Sequence, residues 1–151
     1  MTSPSLAGAA RRYAETFTSL EPESLELLLD LVHEDVIFTD PFNSTRGKAR
    51  FRQIFAHMFE TCEAPRFQVS DIAAGEKAVY LRWRMTGRLR SWPRTQLDLE
   101  GLSEIHLDDD GLVTAHIDHW DSASQLLSRL PGIGVFIRRI MKLFLLPPAR
   151  D

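Results

Sequence analysis

Apolar residues recur at three-to-four spacing in the first part of the chain, which is the period of an amphipathic helix. This pattern predicts helices over residues 5–19, about 22–32 and about 46–61, with Ser44 or Thr45 as the cap of the third. The stripe of the first helix comprises Leu6, Ala9, Ala10, Tyr13 and Phe17. The stripe of the third comprises Phe51, Ile54, Phe55, Met58 and Phe59.

Strands are predicted where the period changes to two. Residues 36–39 form a short strand by their β-branched and aromatic content, and Asp40-Pro41 ends it because proline lacks an N–H. Beyond residue 65, alternation of apolar and polar positions predicts strands over 67–72, 79–86, 96–107 and 112–120. The short turns between these strands require antiparallel neighbours.

Two further helices are predicted over 122–130 and about 133–145, separated by Pro131-Gly132. The order of elements predicts one α+β domain over residues 1–151, with a core of about 5–122 and a helical tail over 122–146. We expect a cone in which the N-terminal helices pack on a strongly curved antiparallel sheet. The helices should cover the face that carries Trp83, Met85, Leu97 and Leu99.

The composition of the chain limits the classes of function that it can have. The 151 residues carry a net charge of -3, which argues against a nucleic-acid-binding protein. The single cysteine, Cys62, allows no internal disulfide, and the N-terminal residues lack the apolar stretch of a signal peptide. We therefore expect a cytoplasmic protein that needs no metal or other cofactor.

Several polar residues are predicted on the buried face of the sheet. Strand alternation places Asp40 in line with the apolar residues before it, Ser103 in line with apolar neighbours, and His116, Asp118 and Trp120 on one face. Burying such groups in an apolar chamber is costly unless they are paired or used. Carboxylates beside an imidazole are suited to acid–base chemistry on an apolar small molecule.

At this point the sequence resembles the nuclear transport factor 2-like superfamily, also called the cystatin-like fold, and its SnoaL-like and ketosteroid isomerase-like branch. Three parts of the chain carry the likeness: Arg12-Tyr13 in the first helix, residues 33–42 followed by Gly47, and residues 101–120. The resemblance covers about residues 8–122 and implies the cone already expected from the pattern of elements. This fold supports many chemistries, so the resemblance specifies the fold more closely than the function.

The resemblance also implies roles for individual residues. Asp40, followed by proline, matches the general base of the isomerase, and Tyr13 matches its hydrogen-bond donor to the oxyanion. Ser103 stands where the isomerase has a protonated aspartic acid, which departs from the steroid-isomerising pattern. His116 and Asp118 inside the cone are more similar to the dehydratase or cyclase arrangement.

The ligand predicted for the chamber is a hydrophobic small molecule. Its expected contacts are Phe38, Phe55, Phe59, Trp83, Met85, Leu99, Ser103 and Trp120. Members of the superfamily pair through the other face of the sheet, which here carries Tyr80, Leu102 and Ile117, so the resemblance implies a homodimer.

Each candidate residue also has a structural interpretation. Asp40 can be a turn residue without a chemical role, Tyr13 can be a core aromatic residue, and His116 can pair with Asp118 for structural reasons alone. Two hypotheses therefore stay open: a cofactor-independent isomerase, dehydratase or cyclase, and a non-catalytic domain that binds a ligand or a protein.

Residues 133–146 are apolar and include three basic residues, Arg138, Arg139 and Lys142. This segment can close the mouth of the cone, pack on a partner subunit, or contact a membrane surface as a peripheral interfacial helix. The first two are the simpler interpretations.

Overall fold

The computed structural model of the chain describes residues 5–147. Its helices are α1 (Leu6–Thr18), α2 (Leu25–Leu29), α3 (Lys48–Thr61), α4 (Ser122–Gln125) and α5 (Ile133–Met141). Its strands are β1 (Val32–Thr39), β2 (Ser44–Arg46), β3 (Cys62–Ala74), β4 (Val79–Leu89), β5 (Gln96–Leu107) and β6 (Val113–His119). Short 3-10 turns at Pro22–Ser24, Leu127–Arg129 and Lys142–Phe144 complete the regular structure.

The six strands form one sheet in the order β2-β1-β6-β5-β4-β3. All neighbours are antiparallel except β1 and β6, which are parallel and pair Phe38 with His116. The prediction of a wholly antiparallel sheet is therefore wrong at this pair. A hairpin forces antiparallel pairing, but β1 and β6 are joined by most of the chain, so their directions are not constrained. The α+β class and the curled sheet under N-terminal helices are confirmed.

Local differences from the predicted elements have a common cause. The second helix is shorter than predicted because Val32 already pairs with Val113 and extends β1 toward its N-terminus. Ser44 and Thr45 do not cap α3, because they form the short strand β2 against β1. In both places, pairing within the sheet overrides the local preference of the residues.

The core lies between the helices and the inner face of the sheet. Tyr13 and Phe17 of α1 and Phe51 and Phe55 of α3 are buried against inward residues of the sheet. The face predicted to be covered is buried as well, with Trp83, Met85, Leu97 and Leu99 in a second cluster. The two clusters leave an open space between them, and this space forms the cavity described below.

Gly101 is required where β4 and β5 meet, because it pairs directly with Trp83. A Cβ at this position would lie 2.7 Å from Cη2 of Trp83 and 3.0 Å from the carbonyl oxygen of His119. Real side chains do not approach this closely, so glycine lets the Trp83 ring lie flat across the neighbouring strand.

The outer face of the sheet is largely charged. Arg84 donates hydrogen bonds to both oxygens of Asp98, each 2.6 Å long. Leu102 is exposed there, and Tyr80 and Ile117 are half-buried. A homodimer through this face stays a prediction.

The tail begins with α4, whose cap Asp121 accepts a hydrogen bond of 2.9 Å from the Ser124 N–H. A continuous helix over 122–130 is not formed, since α4 ends at Gln125 and a 3-10 turn follows. α5 then packs on that turn through the buried Gly134. Among the residues that the structure describes, no helix is long and apolar enough to cross a membrane.

Candidate active site

A buried chain of hydrogen bonds begins at Tyr13 on α1. The Tyr13 hydroxyl lies 2.8 Å from Nδ1 of His116, and Nε2 of His116 lies 2.8 Å from Oδ1 of Asp118. His116 and Asp118 are two residues apart on β6, so their side chains share the inner face of the sheet. Tyr13 is fully buried, and His116 is 3% exposed.

A second chain of hydrogen bonds reaches the same carboxylate from the opposite side. The indole N–H of Trp83 on β4 donates to Ser103 Oγ at 2.8 Å, and the Ser103 hydroxyl donates to Asp118 Oδ1 at 2.5 Å. The pairing of Ser103 with Asp118 across β5 and β6 places these groups side by side. We call the five residues Tyr13, Trp83, Ser103, His116 and Asp118 the polar network.

Both chains of hydrogen bonds in the polar network lead to Asp118. Burial, and secondarily the charge of Asp118, raises the pKa of Tyr13 well above its ordinary value, so its hydroxyl keeps its proton and donates to His116 Nδ1. When Nδ1 accepts this bond, Nε2 is the ring nitrogen that carries a proton, and it donates to Asp118. The carboxylate of Asp118 is therefore the final acceptor of both chains, with both donors on Oδ1.

Asp118 lies in the wall of a cavity of about 540 Å³, which has the size of a small-molecule site. Most of the wall is apolar and comes from α3 and the inner face of the sheet; it includes Phe38, Phe55, Met58, Phe67, Met85 and Leu99. Oδ2 of Asp118 accepts no hydrogen bond from another described residue. A carboxylate oxygen is thus left free in an apolar surrounding.

Six of the predicted ligand contacts line this cavity: Phe38, Phe55, Trp83, Met85, Leu99 and Trp120. Ser103 and His116 lie deeper and line a small inner void of about 30 Å³ behind Asp118. Phe59 packs against the core and does not line the cavity. Tyr13 contacts neither space, so in this structure it acts only through His116.

Asp40 lies at the cavity wall but outside the polar network. Its Oδ1 accepts hydrogen bonds from the N–H groups of Phe42 and Asn43, at 2.7 and 2.6 Å. These bonds close the turn between β1 and β2, which is the structural role that an Asp-Pro pair often has. The assignment of Asp40 as the working carboxylate stays a prediction, and the geometry favours Asp118 for that role.

Sequence reasoning missed Thr45, which the Asp40 turn carries into the cavity wall. The Thr45 hydroxyl is buried and has no hydrogen-bond partner among the described residues. An unpaired buried hydroxyl costs free energy, so Thr45 is a candidate hydrogen-bond donor to a ligand of the cavity. The alternation of β2 was too short to reveal it. Cys62 also lines the cavity, where burial raises the pKa of its thiol and so keeps it protonated.

Alkaline unfolding should report on Tyr13. The ordinary tyrosine pKa of 10.0 holds in the unfolded chain, whereas the folded pKa is higher. Stability is therefore unaffected below pH 10.0. Above it, the free energy of unfolding should fall by about 1.4 kcal/mol per pH unit from this group alone. Urea denaturation across this range would measure the slope.

The control for this measurement is the other tyrosine, Tyr80, which is half-buried on the outer face. Tyr13→Phe should remove the Tyr13 part of the slope, and Tyr80→Phe should retain it. Equal slopes in the two variants would contradict the buried, neutral state of Tyr13.

Comparisons with known proteins place this geometry in context. A family model described as a SnoaL-like domain matches residues 10–116, so it includes His116 and stops just before Asp118. Among functionally curated proteins, no sequence matches the chain.

Solved structures provide three useful neighbours. A nuclear transport factor 2-like protein from Anabaena variabilis is 19% identical, with a TM-score of 0.67 over 83% of this chain and 96% of its own. A protein of ketosteroid isomerase-like fold from Catenulispora acidiphila, in complex with trimethylamine, is 16% identical, with a TM-score of 0.67 over 86% and 96%. The epoxide hydrolase/cyclase-like enzyme SalBIII, which has a role in pyran ring formation in the polyether salinomycin, is 14% identical, with a TM-score of 0.65 over 77% and 90%. At these identities the likeness establishes the fold.

Proposed function

Because this chain belongs to the SnoaL-like domain family, we propose that it is a cofactor-independent enzyme that moves a proton on a hydrophobic carbonyl compound. The observation that carries the proposal is Asp118, whose carboxylate ends two buried chains of donors and borders an apolar cavity. An epoxide hydrolase/cyclase-like enzyme among the structural neighbours supports small-molecule chemistry in the same fold.

In the proposed reaction, Oδ2 of Asp118 removes a proton from the carbon next to the substrate carbonyl. The C–H electron pair moves into the C–C bond, the carbonyl π pair moves to oxygen, and an enolate results. In a β,γ-unsaturated substrate the proton on Asp118 is then delivered to the γ carbon as the double bond shifts into conjugation with the carbonyl, which gives isomerisation. In a β-hydroxy substrate the enolate electron pair instead expels the hydroxyl group, which takes that proton and leaves as water, and this gives dehydration. Ser103 and His116 hold Oδ1 in place throughout, which orients Oδ2 toward the substrate.

Thr45 is proposed as the donor to the enolate oxygen. Among the described residues its hydroxyl is the buried side-chain group without a partner, and the residue lies in the wall of the same cavity as Asp118. A donor that is paired only when substrate is bound contributes most as charge develops on the carbonyl oxygen.

Replacement of Thr45 by Val separates this role from a structural one. Thr45→Val keeps the shape of the side chain and removes the unpaired hydroxyl, so stability should stay equal or rise. The value of kcat/KM should fall by about tenfold, the worth of one hydrogen bond. Thermal denaturation and steady-state kinetics of the same preparation would measure both. A loss of stability together with unchanged kinetics would contradict the assignment.

The alternative is a non-catalytic domain that binds a hydrophobic ligand. It is favoured by one observation: the donors of the polar network are all engaged with one another. A fully paired network can exist simply to make a buried carboxylate tolerable.

The test begins with a panel of hydrophobic carbonyl compounds screened by thermal shift. Compounds that bind are then incubated with the protein in D₂O, and exchange of the proton next to the carbonyl is followed by NMR. Leu99→Trp fills the cavity and should abolish binding, whereas Leu102→Trp alters the same strand on the outer face and should not. Binding without exchange would favour the non-catalytic alternative. Binding that survives Leu99→Trp would contradict both the proposed enzyme and the non-catalytic alternative, because both place the ligand in this cavity.

A further inference from the structure

The strongest feature outside the site is an exposed apolar segment, residues 133–146, which we call the apolar arm. Eight of its large apolar side chains are exposed, by 42 to 91%: Ile133, Val135, Phe136, Ile140, Leu143, Phe144, Leu145 and Leu146. The other exposed large apolar side chains within residues 5–147 are scattered over separate parts of the fold. A continuous surface of this kind usually marks a contact with a partner or a membrane.

The arm is held to the body through its other side. Gly134 is buried against the Ser128 backbone, and the Arg138 guanidinium donates a hydrogen bond to the Ser128 carbonyl oxygen. Ile137 and Met141 are half-buried on this inner side. The docked orientation therefore leaves the stripe of Ile133, Phe136 and Ile140 facing outward. The arm does not close the cavity, whose wall includes none of its residues.

The balance of charge along the chain changes from acidic to basic shortly before the arm. Residues 1–121 contain 13 basic and 20 acidic residues, whereas residues 122–151 contain five basic residues and one acidic residue, Asp151. Within the arm, Arg138 and Lys142 lie on the side of the helix away from the outward apolar stripe, and Arg139 lies at the edge of the stripe beside Phe136. An acidic body thus carries a basic, amphipathic helix.

We propose that the apolar arm docks on an anionic lipid surface. Its outward apolar side chains would enter the boundary between headgroups and acyl chains, and its basic groups would reach back to the lipid phosphates on their flexible stems. The acidic body is repelled by the same surface, so it stays in water while the arm is held. This proposal is independent of the proposed reaction.

A second copy of the chain fits the arm less well. Two arms packed against each other would join segments that each carry three basic residues and no acidic one, so no attraction between opposite charges would support the contact. The body of a second copy is acidic, but its exposed large apolar residues are spread over separate elements and loops: Leu6, Leu27, Ile37, Phe42, Trp92 and Leu102.

Flotation of the full chain with lipid vesicles tests the proposal. The chain should bind vesicles of equimolar phosphatidylcholine and phosphatidylserine, and it should bind phosphatidylcholine vesicles far more weakly. The double variant Arg139→Gln with Lys142→Gln should bind anionic vesicles roughly 30-fold more weakly. The double variant Leu143→Ser with Phe144→Ser should bind anionic vesicles about tenfold more weakly, or more weakly still.

Matched controls come from the body of the molecule. Arg88→Gln with Arg90→Gln removes two exposed charges, and Leu27→Ser with Trp92→Ser removes two exposed apolar groups. Both should bind like the unaltered chain. All the substituted side chains are exposed, and circular dichroism would verify that each variant is folded.

Three outcomes would overturn the proposal. The first is absence of binding, or equal binding to both kinds of vesicle. The second is a loss of binding in the controls as large as that in the arm variants. The third is a concentration-dependent dimer in sedimentation velocity that the arm variants dissociate while vesicle binding is absent, which would assign the arm to a second copy.

Discussion

Replacement of Asp118 by Asn should slow exchange of the substrate proton by about 10²- to 10⁴-fold, the usual contribution of a positioned general base. Asn keeps the size of the side chain and can still accept hydrogen bonds from Ser103 and His116 through its carbonyl oxygen. Ligand binding in the cavity should therefore survive, and the loss should appear in kcat. NMR exchange rates at saturating ligand would measure it.

Asp40→Asn is the competing variant, because both carboxylates line the cavity. Asn at this position can still accept the turn-closing hydrogen bonds from residues 42 and 43, so the turn should persist. We expect its loss of rate to be much smaller than that of Asp118→Asn. Asp30→Asn alters an exposed aspartate outside the cavity wall and serves as the control, which should exchange the proton at the rate of the unaltered chain. The reverse ranking would restore Asp40 as the base and leave Asp118 a structural role.

Gly101→Ala should lower the free energy of unfolding by about 2–4 kcal/mol. The new methyl group would collide with the Trp83 ring and with the His119 carbonyl oxygen, neither of which can yield cheaply. If the ring moves, it also gives up its hydrogen bond to Ser103, at one end of the polar network. Urea denaturation would give the change in stability, and near-ultraviolet circular dichroism would report the displaced indole.

Gly8→Ala is a suitable control for that substitution. Gly8 lies near the start of α1, where an added methyl group meets only the flexible side chain of Ser5, at 3.2 Å. Alanine is favoured over glycine in a helix, so this variant should be as stable as the unaltered chain or slightly more so. A Gly101→Ala protein of unchanged stability would show that the tight contact at Trp83 is dispensable.

Much of the site could be predicted from strand alternation alone. A period of two fixes which side of a strand each residue occupies, and this placed His116, Asp118 and Trp120 on the inner face together, with Ser103 facing the same way. The partners could not be predicted, because they depend on register. Ser103 meets Asp118 only because β5 and β6 pair at those two residues.

The features that the sequence alone could not predict concern groups whose role depends on distant parts of the chain. An Asp-Pro pair has the same sequence whether the carboxylate closes a turn or points at a substrate, and here it closes the turn that carries Thr45. The parallel pairing of β1 with β6 leaves no local signal, since no hairpin joins them. The apolar arm was recognised from its composition, but only the fold reveals that it leaves the cavity open.

The hydrogen bond between Tyr13 and His116 joins residues 103 positions apart in the chain. Contacts of such separation close large loops, and the entropy of closure must be overcome before they form. The first helix is synthesised before the sheet, so its tyrosine has no imidazole to meet until the last strand of the sheet has been made. The chain of hydrogen bonds from Tyr13 to Asp118 therefore cannot form until the last strand has been synthesised.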